Sequence, residues 1–323
     1  MLEAYIASRG GLRKAEAART LPKELIWVDL LNPSAEERAR VEKALKIEIP
    51  AREEMQEIEI SSRLYSEGAA NFMTAILLSQ TETDKPVSGP VTFILARKAL
   101  VTVRFSEPRS FLNFANRSQR PHCGVTSAEA VLVSLLEAVV DRTADLLERI
   151  ANEVDTISHE VFERTDHRPT PGRDYQVILK RIGRRGNLNS KARESLGTLA
   201  RLATYLGPLA KDRGFGKEWK SRIGTLQSDI TSLSDISLFT ANKVTFLLEA
   251  VLGMVNIEQN AIIKIFSVAA VVFLPPTLLA SVWGMNFEFM PELDEPNAYL
   301  WAIAAMVVSA ILPYLFFKRK GWL

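Results

Sequence analysis

Asn256, Asn260, Ile263, Ser267, Ala270, Leu274, Thr277 and Ser281 recur at intervals of three and four residues. That spacing puts side chains on one face of an α-helix. Apart from Ile263 and Leu274 the stripe is small or polar, while Ile265, Phe266, Val268, Val271, Val272 and Phe273 beside it are bulky. Its chemistry is that of neutral oxygens, the hydroxyls and amides that hydrogen-bond to the water shell of a cation without caging the ion. A hard divalent ion that dehydrates reluctantly suits such a surface. Inside a membrane a polar stripe is turned toward protein or water rather than lipid. Two readings follow: a small-residue seam between helices, or a pore wall in which Ile263 and Leu274 form apolar rings that close by dewetting.

The segment that carries the stripe is apolar in the main. From Ile265 to Phe287 there is no charged residue, and from Ile265 to Phe317 no Lys, Arg or His. At ~1.5 Å per residue the first uncharged run reaches roughly 34 Å, enough to cross a hydrocarbon core of ~30 Å. A second uncharged run covers Ala298 to Phe317 and contains Pro313. Lys264 precedes the first run and Lys318-Arg319-Lys320 follow the second. Basic flanks stay on the cytoplasmic side, so both termini are expected inside. The loop between the runs then faces out with Glu288, Glu292, Asp294 and Glu295 and no base. In a symmetric assembly these acids ring the outer mouth and draw cations toward it; a solvated acidic hairpin is the plainer reading.

The 323 residues carry 40 Lys+Arg against 38 Asp+Glu, and 47% are hydrophobic. A net charge of +2 argues against a nucleic-acid partner. The lone Cys123 excludes a disulfide framework, and three histidines leave few soft ligands for a transition-metal enzyme. No Gly-rich phosphate loop or Cys-x-x-Cys is present, and no His stands beside a nucleophile in a catalytic context, so neither an enzyme nor a small organic substrate is expected. The start, Met1 to Tyr5, lacks a basic stretch before an apolar core, and no signal peptide is expected.

Before the spans, Glu24 to Leu30 reads as a strand and Asn32-Pro33-Ser34 opens a helix with Glu36 and Glu37 in its first turn. Asn71 to Gln80, Val91 to Ala96 and Leu100 to Phe105 are β-rich, punctuated by Pro86, Gly89 and Pro90. Long helices follow from Ser127, where Leu136, Val139, Thr143, Leu146, Ile150, Val154, Ile157 and Val161 keep helical spacing. Arg168 to Gly172 is a break, and the next helix is expected to stop at Gly207-Pro208. Within it Lys180, Arg181, Arg184, Arg185, Lys191 and Arg193 have no acid between them, which reads as a solvated face near anionic lipid. From Lys217 to about Val282 the pattern predicts one helix, roughly 100 Å long, whose length favours an oligomer.

These readings describe an α+β membrane protein with an N-terminal cytoplasmic α/β sandwich domain (1–125). A cytoplasmic helical hairpin (126–212) follows, and then a long stalk helix continuing into the first of two C-terminal transmembrane helices (213–286). A periplasmic loop (287–297), the second span (298–317) and a basic tail (318–323) complete the chain.

Gly284-Met285-Asn286 at the outer end of the first span, followed by Phe287-Glu288-Phe289-Met290-Pro291-Glu292-Leu293, resembles the signature of CorA-type magnesium channels. Asn256 to Asn260, Phe273 to Thr277 and the ending Lys318 to Leu323 are similar to bacterial members. The resemblance implies a homopentamer in the bacterial inner membrane that passes Mg²⁺ inward. It implies that Asn286 forms the selectivity ring through the ion's water shell, that Gly284 presents its carbonyl near the axis, and that Met285 packs the turn. It puts a bulky gate residue at Phe266, where the helical spacing selects Ser267, and both stay open as pore-lining positions.

The resemblance also implies Mg²⁺ bound between cytoplasmic domains as a regulator. Thr225 stands where the family's regulatory carboxylate aligns, leaving Asp229 and Asp235 as substitutes, with Glu82 and Asp84 as partners from the sheet domain. Solvated surface acids are the competing reading. Zinc, cobalt or nickel transport within the family is the nearest alternative function. The absence of His and Cys from both spans disfavours zinc. From another class, a membrane-anchored coiled-stalk sensor or scaffold predicts a uniformly apolar first span.

Overall fold

Among the described residues seven strands make one sheet, whose alternating apolar residues face helices on both sides. The strands are β1 (Leu2–Ser8), β2 (Gly11–Ala15), β3 (Leu25–Leu31), β4 (Leu64–Glu67), β5 (Ala70–Ser79), β6 (Val87–Leu95) and β7 (Leu100–Arg104). They lie in the order β2-β1-β3-β7-β6-β5-β4. Only β3 and β7 run parallel; every other neighbouring pair is antiparallel. The computed structural model describes residues 1–8, 10–15, 21–83, 85–162, 175–286, 290–291 and 295–321. The break expected at Arg168 to Gly172 lies outside them.

Helix α1 (Ala35–Leu45) follows β3, and Ser34 and Glu37 close a reciprocal capping box at its start. Its Val41 packs with Val28, Leu30, Val101 and Val103 on one face of the sheet. A single 3₁₀ turn (Glu54–Gln56) adds Met55 to that core, and α2 (Ile60–Arg63) leads into β4. Helix α3 (Arg109–Ser118) covers the other face, where the Phe114 ring meets Trp27 edge-on at 5.5 Å. The result is the expected sandwich, with helices on both sides of the sheet.

Helix α4 (Ala128–Phe162) starts where Ser127 Oγ accepts the Ala130 N–H at 3.2 Å. All eight of its spaced positions from Leu136 to Val161 are buried. Helix α5 (Tyr175–Asp212) does not stop at Gly207-Pro208. A proline forfeits one hydrogen bond, but burial of Leu209 and Ala210 carries the helix on. The stop comes at Gly214, with φ of +69°, where Gly214 N–H donates to Lys211 and Phe215 N–H to Ala210. This is a Schellman turn, in which glycine alone adopts the left-handed conformation freely. The acids missing from the basic run of α5 come from α4: Arg181 pairs with Glu160 at 2.5 Å, and Arg185 pairs with Glu153. The run is thus a helix–helix seam as much as a solvated face. Beyond Met73, where pairing with β4 stops, β5 is an unpaired edge covered by α5, which lends Thr198 Oγ1 as acceptor for the Ile76 N–H at 2.9 Å.

Helix α6 (Lys217–Trp283) is a single helix, and α7 (Ala298–Arg319) follows. The chain divides into two compact units, Met1–Leu248 and Glu249–Leu323. In the first, α6 buries Ile223, Leu226, Ile230 and Leu247 and, between them, Ser237 and Thr240.

Candidate ion pathway

The second unit holds the polar stripe. Asn256, Asn260, Ile263, Ser267, Ala270, Leu274, Thr277 and Ser281 are all exposed in the single chain. Ile263 is 60% and Leu274 64% exposed, and Phe266 beside the stripe is 71% exposed. The sheltered positions of α6 lie on the opposite side, at about 100° per residue: Val268 is buried, and Val272, Leu279 and Trp283 are half-buried. In α7 the half-buried positions Ala302, Met306, Ser309 and Pro313 also keep helical spacing. Each helix therefore shelters one narrow stripe, and the rest of the α6 span, its polar face along with the bulky Ile265, Phe273 and Leu278, is open in the single chain.

Pro275 and Pro276 lie inside α6, so the carbonyls of Val271 and Val272 have no helical N–H to accept from. Thr277 Oγ1 donates to the Phe273 carbonyl at 2.7 Å, which spends its proton on the backbone and leaves lone pairs facing outward. Pro313 does the same to Ser309 in α7, whose hydroxyl donates to the Met306 carbonyl at 2.8 Å.

The helix ends at the tripeptide. Gly284 N–H donates to Ala280 at 2.9 Å and Met285 N–H to Val282 at 3.3 Å. A Cβ on Gly284 would come within 3.0 Å of the Ala280 carbonyl, so the turn is tight enough to favour glycine. Met285 and Asn286 are exposed. The last turn of α6 contains no base, so the partial negative charge of the helix end is left uncompensated beside Asn286, which favours a cation there. Of the loop acids, Glu295 is described and exposed, its carbonyl accepting the Ala298 N–H at 3.1 Å. Glu288, Glu292 and Asp294 lie outside the described residues.

The candidate regulatory carboxylates are scattered. Glu82 is taken up by two arginines, Arg142 at 2.9 Å and Arg109. The Arg142 hydrogen bond, with Arg109 assisting, holds its carboxyl below the ordinary range. Asp229 and Asp235 are exposed on α6; Asp84 lies outside the described residues. Among the described residues no group of three or more His, Cys, Asp or Glu is placed to hold a metal.

Both α6 and α7 are long and apolar enough to cross a membrane. Residues 22–319 match the family described as "CorA-like Mg²⁺ transporter protein". The chain belongs to that family. It is a family of ion transporters and not of enzymes. The magnesium transport protein CorA of Campylobacter jejuni serotype O:2 is 34% identical over 314 residues, covering 95% of this chain and 94% of its own. The protein of the same name from Escherichia coli K12 is 33% identical over the whole of both chains. Among solved structures, the complete CorA magnesium transporter from Methanocaldococcus jannaschii superimposes with a TM-score of 0.77, over 100% of this chain and 99% of that one. Its 18% identity makes this a likeness of fold.

Proposed function

We propose that the protein carries Mg²⁺ across the bacterial inner membrane as a homo-oligomer, with five copies as the family resemblance implies. Copies of α6 enclose the pore, and both termini lie in the cytoplasm. The observation that carries this reading is the uncharged polar stripe of α6, open to the outside of the single chain and ending at Gly284-Met285-Asn286. Exposed to lipid, such a stripe forfeits its hydrogen bonds; turned inward in a ring it meets water.

Gly284, Met285 and Asn286 form the narrow outer ring, where the Asn286 amide holds the ion through its waters. Neutral oxygens of Asn260, Ser267, Thr277 and Ser281 pass the hydrate along, and Ile263, Phe266 and Leu274 supply the apolar constrictions. Glu295, with Glu288, Glu292 and Asp294, raises the cation concentration at the mouth. Regulation by Mg²⁺ through Asp229 and Asp235 would draw ligands from a second copy, because the described residues of one chain do not gather three.

The test is Mg²⁺ uptake into liposomes by the purified chain, with Asn286→Ala alongside. Uptake by the parent and its loss or loss of ion preference in the variant is the expected result. Undiminished, equally selective uptake by Asn286→Ala removes Asn286 from the filter.

A further inference from the structure

The first unit holds a cavity of about 510 Å³ that ion conduction does not use. Its walls include Asn32 just past β3 and the segment from Phe105 to Ser110 just past β7, so it opens at the carboxyl ends of the two parallel strands. From that point the chain leaves in opposite directions: β3 leads to α1 on one face of the sheet and β7 to α3 on the other. A crevice where adjacent parallel strands diverge in this way is where open α/β sheets bind ligands, and the volume lies within the range of small-molecule sites.

The walls carry two acids, Glu82 and Glu107, and two arginines, Arg109 and Arg142, that an anion can engage. Arg109 and Arg142 converge on the rim and share one carboxylate, Glu82, from the turn between β5 and β6. Ser110 is 3% exposed and lines the cavity. Ser106 Oγ, also in the wall, is enclosed and unpartnered among the described residues. Helix α3 begins here with no side-chain cap and no acid in its first turn, so its N–H dipoles add to the field. A buried hydroxyl without a partner, as Ser106 Oγ is, is uncommon and calls for an explanation. Opposite the polar groups, Leu77, Val139 and Leu146 form an apolar wall.

We propose that this cavity binds a phosphate-bearing small molecule. Its phosphoryl group sits against Arg142, Arg109 and the Ser110 hydroxyl in place of the Glu82 carboxylate, and its organic part lies against Leu77, Val139 and Leu146. Glu82 is then an internal stand-in for the ligand. Two arginines suit the oxygens of a phosphoryl group, and the volume exceeds what a bare phosphate ion fills.

Full-length protein in detergent and divalent-free buffer is titrated calorimetrically with ATP, with a sugar phosphate and with inorganic phosphate. Saturable binding of at least one ester, tighter than inorganic phosphate, is expected. Arg142→Gln should weaken it by about tenfold or more. Ser110→Ala should weaken it several-fold. Glu82→Gln should tighten it, because the competing charge is gone. Three results overturn the proposal: no saturable binding of either ester at millimolar concentration, inorganic phosphate binding as tightly as the esters, or affinities indifferent to all three substitutions.

Discussion

Arg104 clasps Asp29 across the parallel strands β7 and β3. Its Nε lies 3.1 Å from both carboxylate oxygens and its Nη2 2.7 Å from Oδ2. Thr102 Oγ1 donates to the same carboxylate at 2.7 Å, and Asp29 is 5% exposed. Truncating one partner strands the other as a buried charge, which costs about 3–5 kcal/mol. Asp29→Ala should therefore lower the thermal midpoint of the full-length protein sharply. The double replacement Asp29→Leu with Arg104→Met should cost less than Asp29→Ala alone. A double variant less stable than the single would show that the ion pair itself, and not avoidance of a lone charge, holds these strands.

Asn189 of α5 and Ser237 of α6 form a second buried polar clasp. Asn189 Nδ2 donates to the Ser237 carbonyl at 2.9 Å, and Ser237 Oγ donates to Asn189 Oδ1 at 3.2 Å. Asn189→Leu leaves the hydroxyl unsatisfied and should destabilise by about 1–3 kcal/mol. Denaturant unfolding of the full chain reads this. A loss below about 0.5 kcal/mol would mean that water replaces the amide.

That clasp also shows where sequence patterning ran thin. The periodicity of α4 was legible because every spaced position is apolar or a buried threonine. Along α6 the apolar rhythm lapses between Leu233 and Val244, and Ser237 and Thr240 are the residues buried there. Small polar residues pack helices closely, yet they carry no hydrophobic signal. The β1–β2 hairpin is hard to read although Gly10-Gly11 marks its turn, because Glu3 on β1 and Arg13 and Lys14 on the edge strand β2 dilute two short strands. Pro90 concealed the first half of β6; it is tolerated because β7 pairs only from Val91 onward. The spacing of the polar stripe puts its eight residues on one face of a helix, and all eight are exposed on α6. The Glu82 arginines were not legible, since Arg109 and Arg142 reach it from separate helices.

Asp141 makes stability depend on pH in a particular direction. Asp141 is exposed on α4, yet partial desolvation by its neighbours raises its proton affinity, Arg117 opposes this, and the charges of Glu137, Asp145 and Asp229 add to the rise. A carboxyl with a raised folded pKa favours the folded state while protonated in it, and that advantage is lost as pH rises through the folded value. At neutral pH the ionised group is thus a net cost. Asp141→Asn should raise the thermal midpoint at pH 7, and the gain should vanish below the ordinary aspartate range, about pH 3.9. Melting curves of parent and variant across that window decide it. An equal gain at both ends would point to packing and not charge.

The open face of α6 makes the sharpest prediction. With Cys123 replaced by Ser, single cysteines at Ser267, Thr277 and Phe266 are compared with one at Val268 for reaction with a charged, water-soluble thiol reagent in membranes. Ser267 and Thr277 lie on the exposed stripe, whereas Val268 is 7% exposed on the sheltered side. Thiols ionise and react only where water reaches them, so a water-lined stripe should label at Ser267→Cys and Thr277→Cys at least about tenfold faster than at Val268→Cys. Phe266 lies one step around the helix, about 100° from Ser267. Fast labelling at both positions means a pore wide enough at that level for each to reach it, while protection of Phe266→Cys assigns the face to Ser267 alone. Mg²⁺ added in excess should slow labelling on the stripe and leave Val268→Cys unchanged. If Val268→Cys reacts as fast as Ser267→Cys, the polar stripe is a packing seam and the ion takes another path.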